Sequence, residues 1–232
     1  EMPIFAFPFM ARDNYRGINI VHFGTDEHYY LTRAKEILEG HALGNIVLGE
    51  GKNGQEPQFT YAEYVLLSPI RFLGLADKVD VVNLYNAYNF AGIFLLILLI
   101  YLLVLQLSGG NKLLAIASAL FVVGGYSMIY NKTIGSPEQN IYGRAVFPYL
   151  SSVALFLFFN LLIKSLKTDG YRYAWLAGIS FGGLFYIFFY SWSFATAFLS
   201  VLLSLYLLNK DRVSLKKVAL VLGLGISLGL YN

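Results

Sequence analysis

Charge vanishes in blocks from residue 81 onward, and nothing else in the sequence limits the fold so tightly. The charge-free runs are 81–111, 113–131, 145–163, 173–209 and 218–232. A helix that crosses a bilayer needs about 20 apolar residues, and each of the first three runs suits one crossing. The 37-residue run at 173–209 would make one helix about 55 Å long, too long for a hydrocarbon core of about 30 Å. Two shorter helices with a tight turn near Tyr190–Ser193 fit it better. The expectation is an all-α polytopic membrane protein with an outer segment at 1–80 and a bundle at 81–232. The bundle is expected to hold about six helices, at 81–107, 113–130, 145–163, 173–189, 193–208 and 217–232.

Composition agrees with that class. Charged residues make up 13% of the chain and hydrophobic ones 57%, against about 25% charged in an ordinary soluble domain. Too little polar surface remains to cover a water-facing globule, and a disordered chain is excluded by the same figures. Cysteine is absent, which removes disulfide frameworks, thiolate metal sites and cysteine nucleophiles. A net charge of +3 gives no reason to expect a nucleic-acid partner.

The charges that exist are sorted by position. Eleven of the fourteen acids and all three histidines lie within residues 1–80. With a hairpin inside 173–209, the loops Ser108–Lys112, Lys164–Arg172 and Asn209–Lys217 fall on one side of the membrane and carry eight basic residues. The opposite loop, Asn131–Arg144, carries two. Positive charge marks the cytoplasmic side, so residues 1–80 are expected to be extracytoplasmic, in a multi-pass protein of the plasma (inner) membrane. The bases Lys210, Arg212, Lys216 and Lys217 read as topology and lipid-surface charges. No signal peptide opens the chain, and both ends read as cut. An earlier transmembrane helix is expected to carry the outer segment across.

Within the outer segment, 25–39 reads as an amphipathic helix. Thr25 is placed as N-cap and Asp26 and Glu27 in the first turn, where the helix dipole favours anions. Tyr30, Ala34, Ile37 and Leu38 follow at helical spacing, and Gly40 supplies a stop. A second helix starts at Thr60, which forms a capping-box pattern with Glu63, and Pro69 is expected to bend or end it. The tyrosines suit a membrane–water boundary, so both helices are expected to lie on the outer membrane surface. In the second outer loop, Ser136, Pro137 and Gln139 mark another helix start, with Glu138 in its first turn and Arg144 at the membrane edge. In the bundle, Gly178-x-x-x-Gly182 and the pair Gly225 and Gly229 are small-residue patterns for close helix packing. Phe181, Phe185, Phe188 and Phe189 read as one aromatic helix face.

A long outer loop opening on Phe23-Gly24-Thr25-Asp26-Glu27-His28-Tyr29-Tyr30, two amphipathic helices, a return at Ser68-Pro69 and a string of short-looped helices make a distinctive order. It resembles the GT-C superfamily of membrane glycosyltransferases, which includes protein O-mannosyltransferases, aminoarabinose transferases of lipid A and oligosaccharyltransferases. The resemblance implies a GT-C-like helical bundle. It also implies transfer, with inversion, of a sugar from a polyprenyl-phosphate-linked donor to an extracytoplasmic acceptor, whether protein, lipid or glycan. Asp26 takes the catalytic position, with Glu27 beside it. Arg144, Glu138 and His28 are the candidates for holding donor phosphate or substrate. A divalent cation, Mg²⁺ or Mn²⁺, is admitted as cofactor, with Asp26 and Glu138 as its ligands. The chain departs from the family in lacking any Asp-x-Asp.

Plainer readings stand beside these. Asp26, Glu27 and Glu138 equally suit helix starts, Arg144 suits a side chain snorkelling to head groups, and His28 suits the surface. A polytopic transporter or a non-catalytic membrane scaffold is the alternative. Transporters usually bury ionisable groups within their spans, whereas here the runs are uncharged and the acids gather outside. Asn83, Asn86 and Asn89 are the polar residues that keep a transport path in view.

Overall fold

A computed structural model describes residues 9–10, 25–41, 61–130 and 149–230, without the side chains of 25–28 and 126–130. Among the described residues the structure is helical, with no strand. The order is α1 (Thr25–Glu39), α2 (Ala62–Phe72), a 3-10 turn at Ala76–Lys78, α3 (Val81–Leu107), α4 (Lys112–Tyr130), α5 (Tyr149–Lys167), α6 (Arg172–Leu184), α7 (Phe189–Leu208) and α8 (Arg212–Gly229).

Three of these helices, α3, α5 and α7, are long and apolar enough to cross a membrane. Helix α6 has 13 residues, about 20 Å, which is short of the hydrocarbon core. The break in the long uncharged run lies at Phe185–Phe188, upstream of the expected Tyr190–Ser193. It follows closely on Gly182 and Gly183, whose carbonyls accept two of its three bonds. Phe185, Tyr186 and Ile187 each donate to the carbonyl three residues back, at 3.2 Å, and the tightened turn ends in an extended Phe188 at φ −159°. The proposed aromatic face of a single helix is therefore divided. Phe181 is buried on α6, Phe185 lies in the turn stacked on Trp192 at 4.6 Å, and Phe189 opens α7.

Polar residues start several helices. Asp80 accepts from the Asn83 amide at 2.9 Å, Asn111 from Leu114 at 3.0 Å, and Asp211 from Val213 and Ser214 at 3.2 and 3.1 Å. Each satisfies a backbone donor that has no partner within its own helix.

The chain divides into two compact units, Glu1–Phe94 with Val123–Tyr149, and Leu95–Val122 with Leu150–Asn232. The core of the second unit is Phe158 and Leu162 of α5, Ala174, Ala177, Phe181 and Leu184 of α6, Ala195 and Leu199 of α7, and Val218 and Val221 of α8, all fully buried. The closest approach is between α6 and α8. A Cβ placed on Gly225 would lie 2.0 Å from the Phe181 ring, and one on Gly229 would lie 2.5 Å from Phe185. In return, Gly178 and Gly182 receive Leu224 and Leu228. The two glycine pairs are thus the two halves of one seam.

Two lysines of the basic loops have work other than facing lipid. Lys217 is only 4% exposed. Its ammonium donates to the carbonyls of Ser165 and Thr168 at 2.9 and 2.6 Å, closing the C-terminal end of α5. This corrects the reading of Lys217 as a surface charge: the last carbonyls of a helix lack partners, and a cation is favoured there. Lys167 donates to the carbonyl of Gln106 near the end of α3. Within the second unit, Asn160 takes a bond from Gln106 and donates to the carbonyls of Leu99 and Phe156, each at 2.8 Å.

Candidate functional site

The first unit holds the one fully buried ion pair among the described residues. Helix α1 buries Ala34, Ile37 and Leu38, and Arg33 stands in phase with them at 0% exposure. Helix α2 buries Ala62, Leu67 and, between them, Glu63, also at 0%. Arg33 Nε donates to Glu63 Oε1 at 2.8 Å, and Nη2 to Oε2 at 3.2 Å. The two-point geometry matches a planar guanidinium to a carboxylate and fixes the angle between the helices as well as their distance. The third nitrogen, Nη1, donates to the Tyr29 hydroxyl at 3.1 Å, and the guanidinium carbon lies 5.3 Å from the Tyr29 ring centre.

This arrangement corrects the reading of Glu63 as a capping-box partner. The N-cap position of α2 is Tyr61, no side chain caps it, and the Glu63 carboxylate is turned to Arg33. Pro69 also sits inside α2, which continues to Phe72. The stop at Gly40 takes the expected form. Gly40 has φ +93°, its amide donates to Ile37, and the next amide, of His41, reaches back to Glu36 at 2.9 Å. This is the paired closure typical of a left-handed glycine after a helix.

The opening turns of α3 complete the surroundings. The Tyr88 hydroxyl donates to the carbonyl of Leu66 at 2.8 Å, tying α3 to α2. Tyr85 is 2% exposed, and its hydroxyl has no hydrogen-bond partner among the described residues. It lies within electrostatic reach of Glu63, Tyr149, Tyr88 and Arg33. Asn89 is buried one turn further on. The Tyr149 ring lies on Gly92, where a Cβ would come within 2.4 Å of it. The site is therefore a buried Arg–Glu pair walled by phenols. Chemically it offers a fixed charge pair and a phenolic hydrogen-bond donor in apolar surroundings.

Asp26, Glu27 and His28 stand in the first turn of α1, and their side chains lie outside the described residues. Glu138 and Arg144 lie outside them altogether. So do the groups of Asp26 and Glu138 expected to bind a cation. Elsewhere, Glu36, Glu39 and His41 place ligand atoms within 4.8 Å of one another. Glu39 also pairs with the exposed Lys35 at 3.9 Å, as solvated helix ends commonly do.

The Arg33–Glu63 pair escaped the sequence reading although a signal for it was present. Arg33 falls on the same face as Tyr30, Ala34 and Ile37, and Glu63 sits between Ala62 and Leu67. A charge in phase with a buried stripe on each of two neighbouring helices needs a partner, and the two signs are complementary. Comparison of the chain with protein-family models, curated proteins and solved structures gives no match.

Proposed function

We propose that the chain belongs to a polytopic membrane enzyme whose outer two-helix segment works at the lipid surface. More particularly, it is a GT-C-type glycosyltransferase that moves a sugar from a polyprenyl-phosphate donor to an extracytoplasmic acceptor. The observation that carries this reading is the fastening of a polar helix pair to the first turns of a long apolar helix. The Arg33–Glu63 pair joins α1 to α2, and Tyr88 joins α2 to α3. The acidic residues Asp26 and Glu27 open that segment, in the first turn of α1.

In this reading the acceptor hydroxyl attacks the anomeric carbon from the side opposite the lipid phosphate. The bond to the phosphate oxygen breaks and polyprenyl phosphate leaves. Asp26 takes the hydroxyl proton, and Arg144 meets the charge that develops on the departing phosphate. Arg33 and Glu63 do not touch the reacting atoms; they hold the helix on which Asp26 stands.

The test is sugar transfer in membranes containing the full protein, supplied with labelled polyprenyl-phosphate sugars. Asp26→Asn is expected to lower transfer by about 10²-fold or more, the usual scale for losing a general base, with membrane insertion unchanged. Unchanged transfer in that variant would sink the assignment of Asp26, and no transfer from any such donor by the native protein would sink the glycosyltransferase reading.

A further inference from the structure

Helix α2 is built inside out. Its buried face carries a carboxylate, Glu63, beside Ala62 and Leu67. Its open face carries Tyr61, Val65, Pro69 and Phe72, which recur at the three- and four-residue spacing of one helical stripe. Phe72 is 91% exposed and Val65 53%. The exposed apolar surface continues past the helix through Leu73 and Leu75. Helix α1 is the opposite. It buries its apolar residues against α2 and leaves Lys35 and Glu39 open. A water-facing helix pair would put the phenylalanine in and the ions out.

The height of α2 along α3 says what covers the stripe. Helix α3 has 27 residues, about 40 Å, roughly 10 Å more than a hydrocarbon core. The surplus corresponds to its polar opening stretch, which contains Asn83, Tyr85, Asn86, Tyr88 and Asn89. Tyrosine and amide side chains belong at the membrane–water boundary rather than in the acyl core. Tyr88 holds the Leu66 carbonyl at 2.8 Å, so the middle of α2 is hung at that boundary level. Residues 73–80 connect the two helices, and the Tyr88–Leu66 bond closes the loop they make. Arg71 in the last turn of α2, and Asp77, Lys78 and Asp80 beyond it, supply charges for the head-group side. Further along α3 itself, Phe94, Leu95 and Leu98 are exposed, as a helix in lipid would leave them.

We propose that α2 lies in the lipid–water boundary with Tyr61, Val65, Pro69 and Phe72 turned into the bilayer, and that α1 rides on its inner face without touching lipid. This goes beyond the expectation that both helices rest on the membrane, because it gives them different neighbours. It rests on the reading of α3 as a membrane-crossing helix, though not on any sugar chemistry. The ion pair then acquires a second consequence: it sets the height of α1 above the lipid.

These 232 residues contain no cysteine, so in the full protein, with any cysteine outside them replaced by serine, single cysteines report on chosen positions. Single substitutions Val65→Cys and Phe72→Cys, with Lys35→Cys on α1 and Leu98→Cys on α3, are labelled with a nitroxide in lipid nanodiscs. Collision with oxygen, which concentrates in lipid, is compared with collision with a water-soluble nickel chelate. The expected result is an oxygen-to-nickel ratio several-fold higher at positions 65 and 72 than at 35, approaching that at 98. Nickel access at 65 and 72 with position 98 in lipid would overturn the proposal and leave the membrane reading standing. Shielding of 65 and 72 from both reagents would overturn it in favour of a second copy or a protein partner. Nickel access at 98 would overturn both readings together.

Discussion

The interfaces α1–α2 and α6–α8 fix neighbouring helices by opposite means. In the first, two long charged side chains are taken out of water and matched to each other at 2.8 and 3.2 Å. In the second, side chains are removed: four glycines let Phe181, Phe185, Leu224 and Leu228 sit where a Cβ would have been. A buried ion pair returns little net stability, because desolvation consumes most of the Coulombic gain, but it penalises every other register heavily. A glycine seam gains its stability from dispersion contacts that accumulate only when the surfaces interlock. The polar helix pair is thus specified mainly by what goes wrong when it shifts, and the apolar pair mainly by what is gained when it fits.

The largest expected effect breaks the first interface. Glu63→Ala leaves the Arg33 guanidinium buried without its partner, and should cost about 3–5 kcal/mol, read as a lowered unfolding midpoint in detergent. The double substitution Arg33→Met with Glu63→Leu should recover most of that loss, because apolar residues of similar volume replace a buried pair at nearly no net cost. If Glu63→Ala changes nothing, the pair is solvated and the contrast between the two interfaces disappears.

How much of this was legible before the structure differs between the same two regions. Helical segments were readable wherever periodicity or charge-free length is strong, as at 25–39, whose bounds coincide with α1, and 81–107, which coincide with α3. The break at Phe185–Phe188 was displaced because Gly182, of the Gly182-Gly183 pair that precedes it, was read as part of a helix-packing pattern and not as a turn. It is held by short backbone bonds and by Tyr186, whose hydroxyl reaches the Leu228 carbonyl at 2.8 Å, a long-range contact with no local signature. The glycine pairs were visible as a pattern, but not that each is the socket for the other's neighbours. Lys217 was read from its charge alone, and a capping role depends on which carbonyls lie opposite. In the candidate site the sequence offered Thr60 and Glu63 as a local box. The tertiary partner Arg33, thirty residues away, won because both groups are buried and a lone buried carboxylate is costly. Asp26 and its companions were chosen by chemistry and resemblance, and packing played no part in that choice.

A smaller effect sharpens the second interface. Gly225→Ala puts a methyl group 2.0 Å from a ring carbon of Phe181, which is itself fully buried and has no room to swing. Overpacking of this kind should cost about 1–3 kcal/mol. Gly223, two residues away on the same helix, has nothing within 4 Å of the position a Cβ would take. Gly223→Ala should therefore be neutral or stabilising by up to about 1 kcal/mol through helix propensity. Equal destabilisation by both would mean that the glycines serve backbone flexibility rather than the seam.

The smallest effect concerns the start of α8, the helix that supplies Gly225 and Gly229. Asp211 is exposed and accepts from the amides of Ser214 and Val213. Its carboxyl is held below the usual range, first by the Ser214 hydroxyl and then by these backbone donors. A carboxylate whose folded pKa is depressed adds stability at pH above its unfolded value of about 3.9, and the contribution is lost as pH falls through the folded pKa. Asp211→Asn keeps a capping oxygen but removes the titration. The native protein should therefore lose a small increment of thermal stability between pH 6 and pH 3 that the Asn variant lacks, with other carboxylates contributing equally to both. Because exposed charge is screened, the difference should also shrink in high salt. A difference that survives salt would place this carboxylate in a drier setting and tie the α8 start more firmly to the seam it precedes.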